Sequence, residues 1–253
     1  MKRKYPILEY DPARRAVAEP GVAKVGLAKL PPHCVLCFFR EVVGKLRGKC
    51  RILVRLGSEM GMLPVYGLKR CGRTVAVMQA PVGSALAGGL LDELIALGVR
   101  KIIVVGGAGV LDRDIAFGHV VVPTSAIRDE GTSYHYLPPS REVAPSRRAL
   151  AAIKRVLAGD GVPFVTGKTW TTDGFYRETH AKVKMRRAEG CVTVEMEAAA
   201  LFAVARFRGV HLGQMLYGGD DVSGATWDKR KWGKRHEVRG RLFRLAVQAC
   251  LAM

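Results

Sequence analysis

The chain has 253 residues, 49% of them hydrophobic, and a formal net charge of +19 from 41 basic and 22 acidic side chains. That length suits one large α/β domain over residues 1–253, with 1–33 an irregular Pro- and Gly-rich lead. The charge asks for an anionic partner, and the lack of any 18-residue apolar run argues against a membrane-spanning helix.

Met1 to Lys4 has the charge of a signal-peptide start, but Tyr5-Pro6-Ile7-Leu8-Glu9-Tyr10-Asp11 follows where an apolar core would be needed. The expectation is an uncleaved, cytoplasmic protein. Six cysteines at 34, 37, 50, 71, 191 and 250 show no disulfide spacing, which fits a reducing compartment. Cys34-Val35-Leu36-Cys37 has half the spacing of a zinc site. It lies in an apolar strand, where residues three apart face opposite sides, and no second pair follows, so no metal is expected.

Strand-like runs cover Cys34–Phe39, Arg51–Leu56 and Thr74–Ala80. Gly83 to Leu97 reads as a helix, with Leu86, Leu90, Leu91, Leu94 and Ile95 at helical spacing and Gly98 as its stop. Lys101 to Val105 is apolar enough to be buried on both faces of a sheet. It runs into Gly106-Gly107-Ala108-Gly109, read as a bare turn where backbone N–H groups could approach a ligand. His119–Val122 is a strand ended by Pro123, followed by a polar loop from Ser125 to Ser140.

A helix over about Ser146–Leu157, a strand at Pro163–Trp170 and a helix near Glu178–Ala188 follow. Val192-Thr193-Val194 then reads as a strand running into an Ala-rich helix through about Arg208, and Glu195 and Glu197 stand at their junction. There they either complement the helix dipole or accept hydrogen bonds from a vicinal diol. His211–Tyr217 is the last strand, Gly218-Gly219-Asp220-Asp221 a turn, and about Arg235–Leu251 an amphipathic helix. The run Lys229 to Arg235 reads as a solvated basic turn rather than a clamp on a nucleic acid strand. The alternation predicts an α/β fold in three α/β/α layers.

Two phosphate-loop patterns fail. Gly107-Ala108-Gly109 lacks the third glycine of a dinucleotide fingerprint, since Asp112 stands there. Gly167-Lys168-Thr169 has its earlier glycine one place too far back, at Gly161.

Several segments resemble the nucleoside phosphorylase family, which includes uridine phosphorylases, bacterial purine nucleoside phosphorylases and nucleosidases. They are Glu93 to Gly98, Val105 to Gly109, Gly118 to Pro123, Ala126 to His135, Thr172 to Tyr176 and Val194 to Ala200, in family order across about residues 74–225. The resemblance implies a distorted, partly barrel-like mixed central sheet, a homo-oligomer, no cofactor, and cleavage of a nucleoside's N-glycosidic bond. It maps the ribose-binding glutamate to Glu197, with Glu195 and Met196 beside it and Phe175 stacking on the base. It also sets Gly106 and Gly107 beside the nucleophile and Asp220 at a purine N7, with Asp221 as a like charge able to raise the Asp220 pKa. The family's arginine on the strand before the glycine turn is replaced by Val104, and its early Gly-Asp-Pro-x-x-Arg loop by Arg40-Glu41-Val42-Val43. Arg40, Arg128 and Arg177 are the replacement candidates for gripping an anion.

The leading expectation is phosphorolysis of a nucleoside, purine favoured over uridine, with phosphate as co-substrate. Hydrolysis is the alternative, because water needs no arginine cage. A non-catalytic nucleotide- or nucleic-acid-binding protein is the further alternative.

Overall fold

In the computed structural model, residues 2–21, 29–59, 61–230 and 236–253 are described. One sheet holds ten strands among them. They are β1 (His33–Cys37), β2 (Arg51–Ser58), β3 (Gly61–Arg70), β4 (Arg73–Gln79), β5 (Lys101–Val110), β6 (Val120–Asp129), β7 (Glu142–Val143), β8 (Phe164–Thr172), β9 (Cys191–Glu195) and β10 (His211–Asp221). The helices are α1 (Arg40–Gly44), α2 (Ser84–Ala96), α3 (Ser133–Tyr136), α4 (Arg147–Gly159), α5 (His180–Ala188), α6 (Ala198–Arg208) and α7 (His236–Leu251). Short 3₁₀ turns sit at Pro6–Leu8 and Phe175–Arg177.

The strands run in the order β10-β6-β8-β9-β5-β1-β4-β3-β2, and β10 also pairs with β5. That second pairing closes β10, β6, β8, β9 and β5 into a five-stranded barrel-like ring, β1, β4, β3 and β2 extend the sheet from β5, and β7 pairs with β6. The sheet is mixed: β10 runs parallel to β5 and antiparallel to β6, and β9 runs antiparallel to β5.

Side-chain alternation builds a core on each side of the sheet. Leu36, Ile102, Val104 and Leu212 face one cluster with residues of α2 and α6, while Val35, Ile103, Val105 and Met215 face another with residues of α4 and α7. The near-continuous apolar runs follow from burial on both faces. Cys34 and Cys37 fall in opposite clusters, so the two thiols diverge. The Ser146 hydroxyl caps α4 by accepting from the Ala149 N–H, and Gly209, at φ 71°, ends α6 in the left-handed conformation.

Several boundaries differ from the sequence reading. Gly106 to Gly109 is no turn but the second half of β5, and Gly218 to Asp221 is likewise the end of β10. β6 passes through Pro123, which a register shift between Pro123 and Ser125 accommodates, and it takes up the first part of the expected loop. β3 had no counterpart in the sequence reading. Residues 231–235 of the basic run lie outside the described residues. Of its first two, Lys229 sits 4.9 Å over the Trp227 ring and Arg230 pairs with Asp221 at 2.6 Å. No helix among the described residues is long and apolar enough to cross a membrane.

Candidate active site

The far half of β5 forms one wall of a cavity of about 460 Å³. A β-carbon on Gly106 would lie 3.0 Å from the Phe38 ring, and one on Gly109 would lie 3.0 Å from Val194 and 3.6 Å from an Asp220 carboxylate oxygen. These glycines let neighbouring side chains close over a strand that has no bulk of its own.

Beside it, through the pairing of Gly109 with Val194, stands the junction of β9 and α6, where the two glutamates have different partners. Glu195 is spent on the fold. One oxygen accepts the N–H groups of Glu197 and Ala198 at 2.8 and 2.7 Å, and the other accepts the Thr171 hydroxyl at 2.6 Å. It is the anion at the positive end of α6. Glu197 lines the cavity, is 5% exposed, and accepts the Gly83 N–H at 2.6 Å. The Ser84 hydroxyl donates to the Met196 carbonyl, which fixes the start of α2 against the same turn. Burial, and then the charge of Glu195, raise Glu197 out of the ordinary carboxylate range. Burial also raises Glu195, against the pull of its three donors.

The remaining walls come from β10 and from the segment after β8. Gln214, Leu216 and Asp220 of β10 line the cavity, whereas Met215 and Tyr217 point into the core behind it. Gln214 is 1% exposed, and its Oε1 has no hydrogen-bond partner among the described residues. Asp220 accepts the Trp227 indole N–H at 2.7 Å. Asp221 lies outside the lining and accepts from Arg230 at 2.6 Å. Burial opposes ionisation there, but Ser223 and Arg230 hold Asp221 below its ordinary value. The carboxyl that does interact with Asp220 is Glu178, which sequence reasoning missed. Burial first, then the Asp220 charge, push it up to about 7. Phe175, three residues earlier, also lines the cavity.

The arginines separate cleanly. Arg40 lines the cavity. Arg128 does not, because its buried guanidinium is used up on the loop after β6, donating to the Ser133 and Ser140 hydroxyls and the Leu137 and Pro138 carbonyls. Arg177 is exposed and outside the lining. In their place α7 supplies Arg239, which donates to Glu41 at 2.9 Å and to the Tyr217 hydroxyl at 3.0 Å. Its signal was present in the sequence: Arg239 falls three, four and seven residues before Leu242, Phe243 and Ala246, on their apolar stripe. Nothing local marks Glu178. Among the described residues, no three His, Cys, Asp or Glu side chains are grouped as metal ligands.

A barrel-edged α/β fold with a cavity lined by a buried carboxylate and by bare backbone defines a small-molecule site. The profile of the phosphorylase superfamily matches residues 32–251, and the chain belongs to that family. It is 34% identical over 157 residues to a uridine phosphorylase of Treponema pallidum, spanning 58% of this chain and 61% of that protein, so the match leaves over a third of the relative uncovered. It is 27% identical over 188 residues to a guanosine phosphorylase of Halorubrum lacusprofundi, spanning 72% of this chain and 78% of that protein. The fold matches an AMP nucleosidase of Bacteroides thetaiotaomicron with a TM-score of 0.70 at 24% identity, covering 87% of each chain. It also matches a Toxoplasma gondii purine nucleoside phosphorylase, solved with immucillin-H, with a TM-score of 0.75 at 18% identity, covering 88% of this chain and 91% of that one.

Proposed function

We propose that the protein is an enzyme that cleaves the N-glycosidic bond of a nucleoside by phosphorolysis, with a purine as the favoured base. The observation that carries this reading is Glu197, a buried carboxylate facing a cavity whose other wall is the glycine half of β5. Breaking the bond builds positive charge on the ribose ring and negative charge on the departing base. Such a reaction needs the sugar fixed, an anion or water beneath it, and a proton donor at the base. Glu197 holds the ribose hydroxyls with Met196 packed on the sugar, and Phe175 covers the base. Gly106 and Gly107 border the nucleophile. Arg40 and Arg239 line the same cavity and supply positive charge for phosphate.

Hydrolysis is the second reading, favoured by Val104. It is fully buried in β5 where the family resemblance places an arginine, and its partner across the ladder is the uncharged Gln214. Val82 and Phe175 line the cavity yet are 70% and 51% exposed, which fits a homo-oligomer in which a second copy covers the mouth.

Incubating the protein with a panel of purine and pyrimidine nucleosides, with and without phosphate, and measuring free base tests both readings. Base release that depends on phosphate supports phosphorolysis. Equal release without phosphate supports hydrolysis, and no release from any nucleoside refutes both.

A further inference from the structure

We propose that Glu178, and not Asp220, is the group that delivers the proton to the departing base. The inference rests on the glycosidic reading above and assigns one of its steps. Glu178 and Asp220 line the same cavity, one directly after the 3₁₀ turn that carries Phe175 and the other near the end of β10. Two carboxyls that share a cavity do not both ionise readily. Asp220 is already committed as acceptor of the Trp227 indole N–H, 2.7 Å away. Burial and the Asp220 charge keep the proton on Glu178 to about pH 7. The other charged groups lining the cavity are Glu195 and Glu197 at the β9–α6 junction, Arg40 and Glu41 of α1, and Arg239 of α7. Arg239 and Glu41 are paired with each other, and Glu195 is bound by three donors.

In the step, the C1′–N9 bond of a purine nucleoside breaks and its electron pair goes to the base. The Glu178 proton passes to N7 and leaves a carboxylate, while an oxygen of hydrogen phosphate, or of water, bonds to C1′. The proton lost by that nucleophile restores Glu178, so the net reaction yields neutral base and the sugar product.

The test compares Glu178→Gln and Asp220→Asn with the wild type on guanosine and on 7-methylguanosine, whose base already carries a positive charge and leaves without a proton. For Glu178→Gln, kcat/KM on guanosine is expected to fall about 100-fold, the usual worth of a general acid, with 7-methylguanosine nearly unaffected. The wild-type profile on guanosine is expected to fall as pH rises above about 7, and that limb is expected to be absent from the variant. Equal loss on both substrates, no loss on guanosine, or selective guanosine loss in Asp220→Asn instead would each overturn the assignment. A wild type that cleaves neither substrate would also overturn it, and the glycosidic reading falls with it only if the nucleoside panel releases no base at all.

Discussion

Replacing Glu197 by Gln should make the protein more stable and less active. The amide keeps an acceptor for the Gly83 N–H, so no buried donor is orphaned. What it removes is a buried negative charge beside Glu195. The native value of Glu197 is raised above its unfolded value, so between those values the folded state binds more protons than the unfolded state. Wild-type stability therefore declines as pH rises from about 5 to about 8, and the variant lacks the share of that decline that Glu197 contributes. At about pH 8 the gain is on the order of 4 kcal/mol, a Tm increase of about 8–16 °C for a chain this long, and at about pH 5 the two proteins converge. Above about pH 8, where Glu197 is ionised, a bound ribose diol would donate two charge-assisted bonds to it, each worth about 1.5–3 kcal/mol, and a neutral amide oxygen would retain part of one. The loss of about 2–4 kcal/mol corresponds to a 30- to 1000-fold fall in kcat/KM. Thermal denaturation at the two pH values, run beside a base-release assay, reads both effects. A variant that is destabilised at high pH, or that keeps full activity, would refute the reasoning.

Gly109→Ala would set a methyl group 3.0 Å from Val194 and 3.6 Å from the Asp220 carboxylate, and kcat/KM should fall roughly 10- to 100-fold through misplacement of the base end. Gly167→Ala, with a β-carbon 2.6 Å from Val192, should cost about 1–3 kcal/mol in denaturant unfolding, and adding Val192→Ala should recover most of it. Gln214→Leu replaces an amide whose oxygen is buried without a partner, so ligand-free stability should hold or rise by about 1 kcal/mol.

Strands and helices built on apolar runs were legible in the sequence, because burial on both faces writes itself directly into composition. Lys101 to Val105 and the helix after Gly83 are examples. Strands that continue through glycine or proline were not. Gly106 to Gly109 and Gly218 to Gly219 carry local turn chemistry, yet sheet pairing on both sides and close-packed Phe38, Val194 and Ile115 require bare backbone there. β3 was missed for the same reason, since Gly61, Pro64 and Gly67 break its pattern while β2 and β4 hold it from either side. Within the site, Glu197 was legible because it lies in a contiguous motif. Glu178, Gln214 and Arg239 come to the cavity from three distant elements, and only barrel closure brings them together. The bond network of Arg128 was likewise invisible, because its partners lie in a loop whose path depends on α3.

β10 acts as a gauge across the pocket. It reaches from Gln214 to Asp220, six residues or about 20 Å, and presents alternate side chains to the ligand space. With Gln214 held in place, deleting one residue between them would put Asp221 where Asp220 stands and draw Arg230 toward the opening, and inserting one would put Gly219 there. Divergence along this strand is therefore free to swap the side chains that line the cavity, but it is not free to change the strand's length.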